Sequence, residues 1–274
     1  MELPNVVYKY RGISKNTKRL FRRRELYFPL ATEINDPFDC RVLLNRDAPS
    51  EVHWERMKAY YSKKYHVTDE IEIVYRMLLE GAPRGAKVDR QRAASVIQNR
   101  EWEGIQNHVE AGNQKMLKER LRKTRLCSFS ALPDNLLMWS HYADCHRGIC
   151  LGFSTQGKVF GLAKKISYLT EYPTVDSYSL DSDSYVNYAF FSKAKDWHYE
   201  EEWRIVLNAA DRLAKPIYTF PPESLWEVIF GCLCTDSDER RVRKWLAAGG
   251  LKPNLLKAKM ARQKFGLDIE PIQK

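Results

Sequence analysis

Long apolar runs are absent from this 274-residue chain. No stretch approaches the roughly 20 consecutive apolar residues that a membrane-crossing helix needs. The N-terminus shows no apolar signal core. The expectation is a cytoplasmic protein with no membrane partner. The phosphate loop, the G-x-G-x-x-G turn, the G-x-S-x-G elbow and the H-E-x-x-H helix are all missing. Hydrolases of those kinds and Rossmann dehydrogenases are therefore disfavoured. Cysteine is sparse: Cys40, Cys127, Cys145, Cys150, Cys232 and Cys234 form no metal-knuckle spacing and read as reduced thiols, mostly core. Cys232 to Cys234 reads as buried strand. Internal repeats and low-complexity segments are lacking too. Acids are outnumbered, with 35 Asp and Glu against 45 Lys and Arg, a net charge of +10. That balance fits a phosphate-bearing partner such as nucleic acid, and equally a merely soluble basic protein.

What is present supports a packed α+β core. Val6 to Arg11 alternates as a strand, with Val6, Tyr8 and Tyr10 on one face and Val7, Lys9 and Arg11 on the other. Ser14 is placed to cap a helix through Phe21, followed by a charged turn at Arg22 to Arg24. Leu26 to Phe28 is a second strand. Strand signals return at Leu126 to Ser130, Ile149 to Phe153, Ile166 to Leu169, Glu200 to Leu207, Ile217 to Phe220 and Val228 to Cys232. Between them, residues 48–125 carry apolar side chains at helical spacing (Trp54, Met57 and Tyr61; Val74 and Leu78; Ile105 and Val109), broken at Pro83 and Gly85. The organisation predicted is an α+β domain over 1–47 and 126–274, with a mixed, mostly antiparallel or split sheet and a helical insertion over 48–125.

Candidate chemistry concentrates in short stretches. Asp134 is placed to cap a helix with Leu136, Leu137, Tyr142 and Trp139 as its apolar face, and Gly148 to stop it. His141 and His146, five residues apart, do not match a zinc pair at i, i+4. Trp139 is more often core than a stacking platform. In the late strand, period two puts Glu200, Glu202 and Arg204 on one face and Trp203, Ile205 and Leu207 on the core face. One acid would pair with Arg204 or with a lysine such as Lys195; the bland alternative is a solvated Glu–Arg pair. Glu202 is the expected essential acid, facing away from the core, so Glu202→Gln should leave folding nearly intact. Asn35, Asp36 and Asp39 have a strong structural reading as a turn, with Phe38 as its apolar plug.

These stretches carry a resemblance. Tyr8-Lys9-Tyr10, Asn35-Asp36-Pro37-Phe38-Asp39, Met138-Trp139-Ser140-His141-Tyr142-Ala143 with His146 and Gly148, and Glu200-Glu201-Glu202-Trp203-Arg204 resemble, in order, the signatures of a bacterial domain-of-unknown-function family (DUF2971-like). The layout is also similar to ADP-ribosyltransferases. That similarity implies NAD as cofactor or substrate, held by Lys9 or Arg11, with Tyr27 or Phe28 against the nicotinamide and Glu200 or Glu202 at the ribose. Tyr10, Asn35, Asp36, Trp139, His146 and Arg204 complete the candidate NAD-binding set, and His141 joins the two glutamates as a candidate catalytic residue. The implied enzyme is an ADP-ribosyltransferase-like effector of toxin or phage-defence type. Two alternatives stand beside it. One is a metal-dependent nuclease or phosphodiesterase using Asp36, Asp39, the glutamates and the histidines. The other is a non-catalytic module binding nucleic acid or protein.

Overall fold

The computed structural model describes residues 2–45, 50–82, 86–101, 112, 114–176, 182–208 and 215–272. Pro83, Gly85, Ile105 and Val109 lie outside them. Two compact units divide the chain. The first comprises residues 1–39, 123–170 and 191–274, the second residues 40–122 and 171–190. The division departs from that predicted at 48 and 125, because β3 (Leu43–Asn45) pairs in parallel with β8 (Thr174–Asp176) and ties a later segment to the helical part.

In the second unit, helices α2 (Ser50–Tyr65), α3 (Glu70–Gly81) and α4 (Arg90–Gln98) enclose their own core of Trp54, Met57, Tyr61, Ile73, Val74, Met77, Ala93 and Val96. Asp69 and Asp89 cap α3 and α4, each carboxylate accepting a backbone N–H at 2.8 Å.

The first unit is α+β, built on a mixed, mostly antiparallel eight-stranded sheet. Its strands include β1 (Val6–Arg11), β4 (Arg125–Ser130), β5 (Ile149–Ser154), β6 (Lys164–Lys165), β10 (Glu202–Leu207), β12 (Leu225–Phe230), β13 (Asn254–Met260) and β14 (Leu267–Pro271), in the order β14-β13-β12-β5-β1-β4-β10-β6. β1 pairs along its whole length with β5, and β10 along its whole length with β4. β1 and β4 share a single registered pair, Tyr8 with Ser130. The sheet is thus two ladders joined at one rung. Beyond it the strands diverge, and the Lys9 ammonium donates to the Ser128 carbonyl at 2.9 Å in place of a ladder bond.

The faces of this sheet differ. On one, Val7, Phe129, Leu151, Phe153, Trp203, Ile205 and Phe230 meet Leu20 and Phe21 of α1 (Lys15–Arg23) and Val242 and Leu246 of the late helix Asp236–Ala248. On the other, Tyr10, Cys150, Ile229 and Ala258 meet Met138, Trp139 and Ala143 from the helix of Leu136–Tyr142. That helix is capped by Asn135, not Asp134: the Asn135 side chain accepts from the Met138 N–H at 3.0 Å. Trp139 is buried, as predicted, but Leu137 of the predicted face points to solvent, 47 % exposed, and Met138 is buried in its stead. The helix ends at Tyr142, before Gly148, and Asp144, Cys145 and His146 turn the chain with positive φ. Gly148 is required for closeness: a Cβ there would lie 2.3 Å from the Arg11 carbonyl oxygen.

Smaller departures lie at the ends of elements. α1 runs through Arg22 and Arg23, with Arg24 left-handed at its end. β12 stops at Phe230, so Cys232 and Leu233 form a turn rather than strand. All six cysteines are free thiols. No helix among the described residues is long and apolar enough to cross a membrane.

Candidate functional site

The wedge between the diverging β1 and β4 opens into a cleft of about 140 Å³. Tyr8, Lys9 and Tyr10 come to it from β1, Asn35 and Asp39 from the Asn-Asp-Pro turn, and Ser128 and Ser130 from β4. Met138 and Tyr142 come from the helix beside it, and Lys193, Glu200, Glu202 and Arg204 complete the polar wall. All four short stretches singled out in the sequence contribute to this one cleft.

Its wall is a chain of alternating charge. The Arg204 guanidinium donates to both Asp39 carboxylate oxygens, at 3.1 and 2.8 Å. The same guanidinium donates to both oxygens of Glu202, at 2.7 and 3.0 Å. The Lys193 ammonium lies 3.1 Å from Glu202 and 2.5 Å from Glu200. The Tyr142 hydroxyl then donates to the other Glu200 oxygen at 2.8 Å. Local structure explains each position. Asp36 closes its turn by accepting the Phe38 N–H at 2.9 Å, which swings Asp39 back to Arg204. Phe38 is 62 % exposed, so the carboxylate rather than an apolar plug holds this turn. Lys193 sits on β9 (Ser192–Ala194), paired in parallel with β7 (Ser167–Leu169), which sets Tyr168 beside it. The Tyr168 hydroxyl accepts the Glu202 N–H at 2.8 Å.

Two expectations about the late strand need correction. The strand starts at Glu202; Glu200 ends a 3-10 turn, and a left-handed Glu201 (φ 43°) links them. Glu202 is not on a solvated face: it is 1 % exposed, as is Arg204. Glu202→Gln therefore removes one partner from a buried ion network, and a nearly unchanged fold is no longer expected. The lysine that bridges the acids is Lys193; Lys195 begins the following 3-10 turn.

Asp39, Glu202 and Glu200 thus alternate with Arg204 and Lys193 along the wall, and Lys9 lines the same cleft, so its charged side chains among the described residues number three of each sign. Burial pushes Glu202 up, but Arg204, Lys193 and the Ser128 hydroxyl outweigh it and hold the carboxyl down to about 2. At Glu200 burial wins over Lys193, and the Glu202 charge adds to it, so its proton is held more tightly than an ordinary carboxyl's. Burial acts against the charge on Lys193, but the two glutamates outweigh it and keep the ammonium protonated. A proton taken up by this row is therefore held at Glu200 rather than at Glu202.

The linkage has a sign. Because Glu202 is depressed from 4.5 to about 2, its contribution is complete above pH 4.5 and lost as pH falls from there toward 2. That is roughly 3 kcal/mol at 1.4 kcal/mol per unit. Glu200 acts oppositely: its contribution is complete below pH 4.5 and lost as pH rises through its higher folded value. Urea denaturation of the wild type at pH 5 and pH 2.5, against Glu202→Gln, should show the acid loss in the wild type and a smaller one in the variant.

Other predicted site residues lie elsewhere. Phe28 is fully buried in the main core. Arg11 and Tyr27 line a separate depression with Asn16, Arg19, Glu25 and Ile217. Trp139 is fully buried, its indole N–H donating to the Pro133 carbonyl at 2.9 Å and its ring edge-on to Tyr10 at 5.3 Å. His146 stacks on Trp139 at 6.4 Å, away from the cleft, and His141 is exposed beside Tyr199. Among the described residues no three His, Cys, Asp or Glu side chains are gathered to hold a metal ion. Lys193, Tyr142, Tyr8, Tyr168 and Ser128 were missed by sequence reasoning. Tyr142 stood in a noted motif and was read as apolar; nothing in the sequence marks Lys193.

Comparison with known proteins adds one likeness. No curated protein and no solved structure matches the chain. Residues 138–205, which contain Met138, Tyr142, Lys193, Glu200, Glu202 and Arg204 of the cleft, match the family described as protein of unknown function (DUF2971), and over that stretch the chain is similar to it.

Proposed function

We propose that the cleft breaks a glycosidic bond at a sugar carbon, with NAD the first substrate to test and ribosyl transfer or hydrolysis the reaction. One observation carries this reading: Glu200, buried, more basic than an ordinary carboxyl and held between Lys193 and Tyr142, lines the cleft. A bond from a sugar carbon to its base breaks through an oxocarbenium-like state. The electron pair leaves with the base, and positive charge grows at the carbon. A carboxylate held in place beside the sugar carbon favours that charge. The incoming hydroxyl must lose a proton, and Glu200 is the group placed to take it.

Glu202 has a different part. Its carboxyl is held down to about 2, too weak a base to take a proton, and its bond to Lys193 fixes the lysine that orients Glu200. It is a positioning residue in this reading, and Glu200 replaces it as the working acid. The volume of about 140 Å³ is close to that of a benzene-sized cavity. A nicotinamide ring or a ribose fits, and the rest of a dinucleotide would lie outside. Tyr8 and Tyr10 offer ring surface there and Asn35 an amide.

The test is chromatographic release of base from NAD and from purine and pyrimidine nucleosides, with and without EDTA. Release by the wild type that is insensitive to EDTA and lost in Glu200→Gln supports the reading. No release from any of these, or undiminished release by the variant, overturns it. Cleavage of nucleic acid that EDTA abolishes would favour a metal-dependent nuclease instead. A finer outcome concerns Tyr142, whose hydrogen bond favours the ionised form of Glu200. Tyr142→Phe should raise the Glu200 pKa and move the acidic limb of the pH–rate profile to higher pH.

A further inference from the structure

We propose that the face of the first unit built by α1 and the late helix α7 (Asp236–Ala248) is a binding site for the phosphate backbone of nucleic acid, independent of the cleft. Both helices pack on the same side of the sheet and against each other: Leu20, Phe21, Val242 and Leu246 share one core, and Gly249 approaches the chain at Phe21 and Arg22 so closely that a Cβ would lie 1.9 Å from the Phe21 carbonyl oxygen. Their outer surfaces are therefore continuous.

That surface is basic beyond what helix stability asks. α1 carries Lys15, Lys18, Arg19, Arg22 and Arg23 among nine residues and no acid. Arg22 and Arg23 suit its C-terminus, but Lys15 and Lys18 sit near the N-terminus, where the helix dipole disfavours cations. Arg240, Arg241, Arg243 and Lys244 continue the field on α7 beyond the three acids of its first turn, Asp236, Asp238 and Glu239, the last of which pairs with Lys257. Glu25 pairs with Arg19, and Asp238 with Arg241. Lys15, Lys18, Arg22, Arg240 and Lys244 are exposed and form no ion pair among the described residues. Unpaired cations in a patch lower their own energy by meeting a polyanion.

The occupant follows from what the patch lacks. The large exposed apolar side chains of the described residues, Phe265 and Met260 foremost, lie on other elements; none stands on α1 or α7. A basic face that docks on an anionic membrane adds apolar side chains that enter the lipid. A face that meets phosphates alone does not need them, and its contacts are sequence-independent. Glu202 and Arg204 alternate away from Trp203 and Ile205, so the cleft wall lies on the opposite side of the sheet from this patch. Nucleic acid held here is a scaffold or localising partner rather than the group in the cleft.

The experiment is fluorescence anisotropy of a labelled 24-base-pair duplex of arbitrary sequence with the whole chain between about 50 and 200 mM salt. The comparison is a variant carrying Lys18→Ala, Arg22→Ala, Arg240→Ala and Lys244→Ala, checked for an unchanged melting temperature. The wild type should bind with affinity falling steeply with salt. The variant should bind at least tenfold more weakly at the low-salt end, its slope of log K against log salt reduced by roughly 0.9 for each phosphate left unneutralised. If the four substitutions together lower the melting temperature, Lys18→Gln with Lys244→Gln serves in their place. Absence of wild-type binding, an unchanged slope in the variant, or equal binding to phosphatidylserine vesicles overturns the proposal. Base release in the cleft assay is expected to be the same in variant and wild type, so failure here leaves the glycosidic reading standing and the reverse also holds.

Discussion

Replacing Arg204 by methionine should lower the stability of the protein by about 3–5 kcal/mol, the cost of leaving a buried charge without its partner. Two carboxylates, Asp39 and Glu202, would lose their shared counter-ion at side chains 1 % exposed. With roughly 2–4 °C per kcal/mol for a chain of this size, the melting temperature should fall by about ten degrees. Lysine would not repair it, because one ammonium cannot reproduce four N–H donations to two carboxylates in a plane. Adding Asp39→Asn to Arg204→Met should recover part of the loss, since it removes one of the two carboxylates that faced the guanidinium. Calorimetry of the two variants decides: a loss under about 1 kcal/mol for Arg204→Met would mean the pair is solvated, contrary to its burial.

Glu200→Gln should have the larger effect on chemistry and the smaller on folding. The amide oxygen can still accept from Lys193, and its NH2 can donate to the Tyr142 oxygen in reversed sense, but the group cannot take a proton. Loss of a positioned base lowers turnover by about 10²- to 10⁴-fold. Burial and the neighbouring Glu202 charge both act against the ionised form, so removing the charge also removes a source of strain. Glu202→Gln should differ on both counts, losing stability and leaving Lys193 less firmly placed. Parallel measurement of turnover and melting temperature for the two variants separates a working acid from a positioning one. Equal stability losses with equal residual activities would contradict the assignment of separate parts.

Much of the sheet was legible because its strands obey period two or run as continuous apolar segments. Ile149 to Phe153 read as buried strand and lies between β1 and β12, covered on both faces. Trp203, Ile205 and Leu207 read as the core face and are buried there. The cleft was legible in outline, since each short motif supplies part of it. Which residue of each motif faces inward was not. Asp39 rather than Asp36 reaches Arg204, because Asp36 spends its carboxylate on its own turn. Tyr142 rather than His141 reaches Glu200, because neighbours lie about 100° apart on a helix and the buried face of Met138 and Trp139 turns Tyr142 inward. Lys193 was out of reach of pattern reasoning: it arrives through the β7–β9 pairing, between segments with no shared periodicity. The burial of Glu202 was missed for a related reason. A polar strand face reads as solvated until the element that covers it is known.

The most direct measurement is a carbon-13 NMR titration of protein labelled at the glutamate side-chain carboxyls, with Glu200→Gln and Glu202→Gln spectra to assign the two signals. Glu200 should titrate above the ordinary 4.5 while Glu202 stays ionised down to about 2. Two carboxyls titrating together near 4.5, or Glu202 taking its proton before Glu200, would contradict that order.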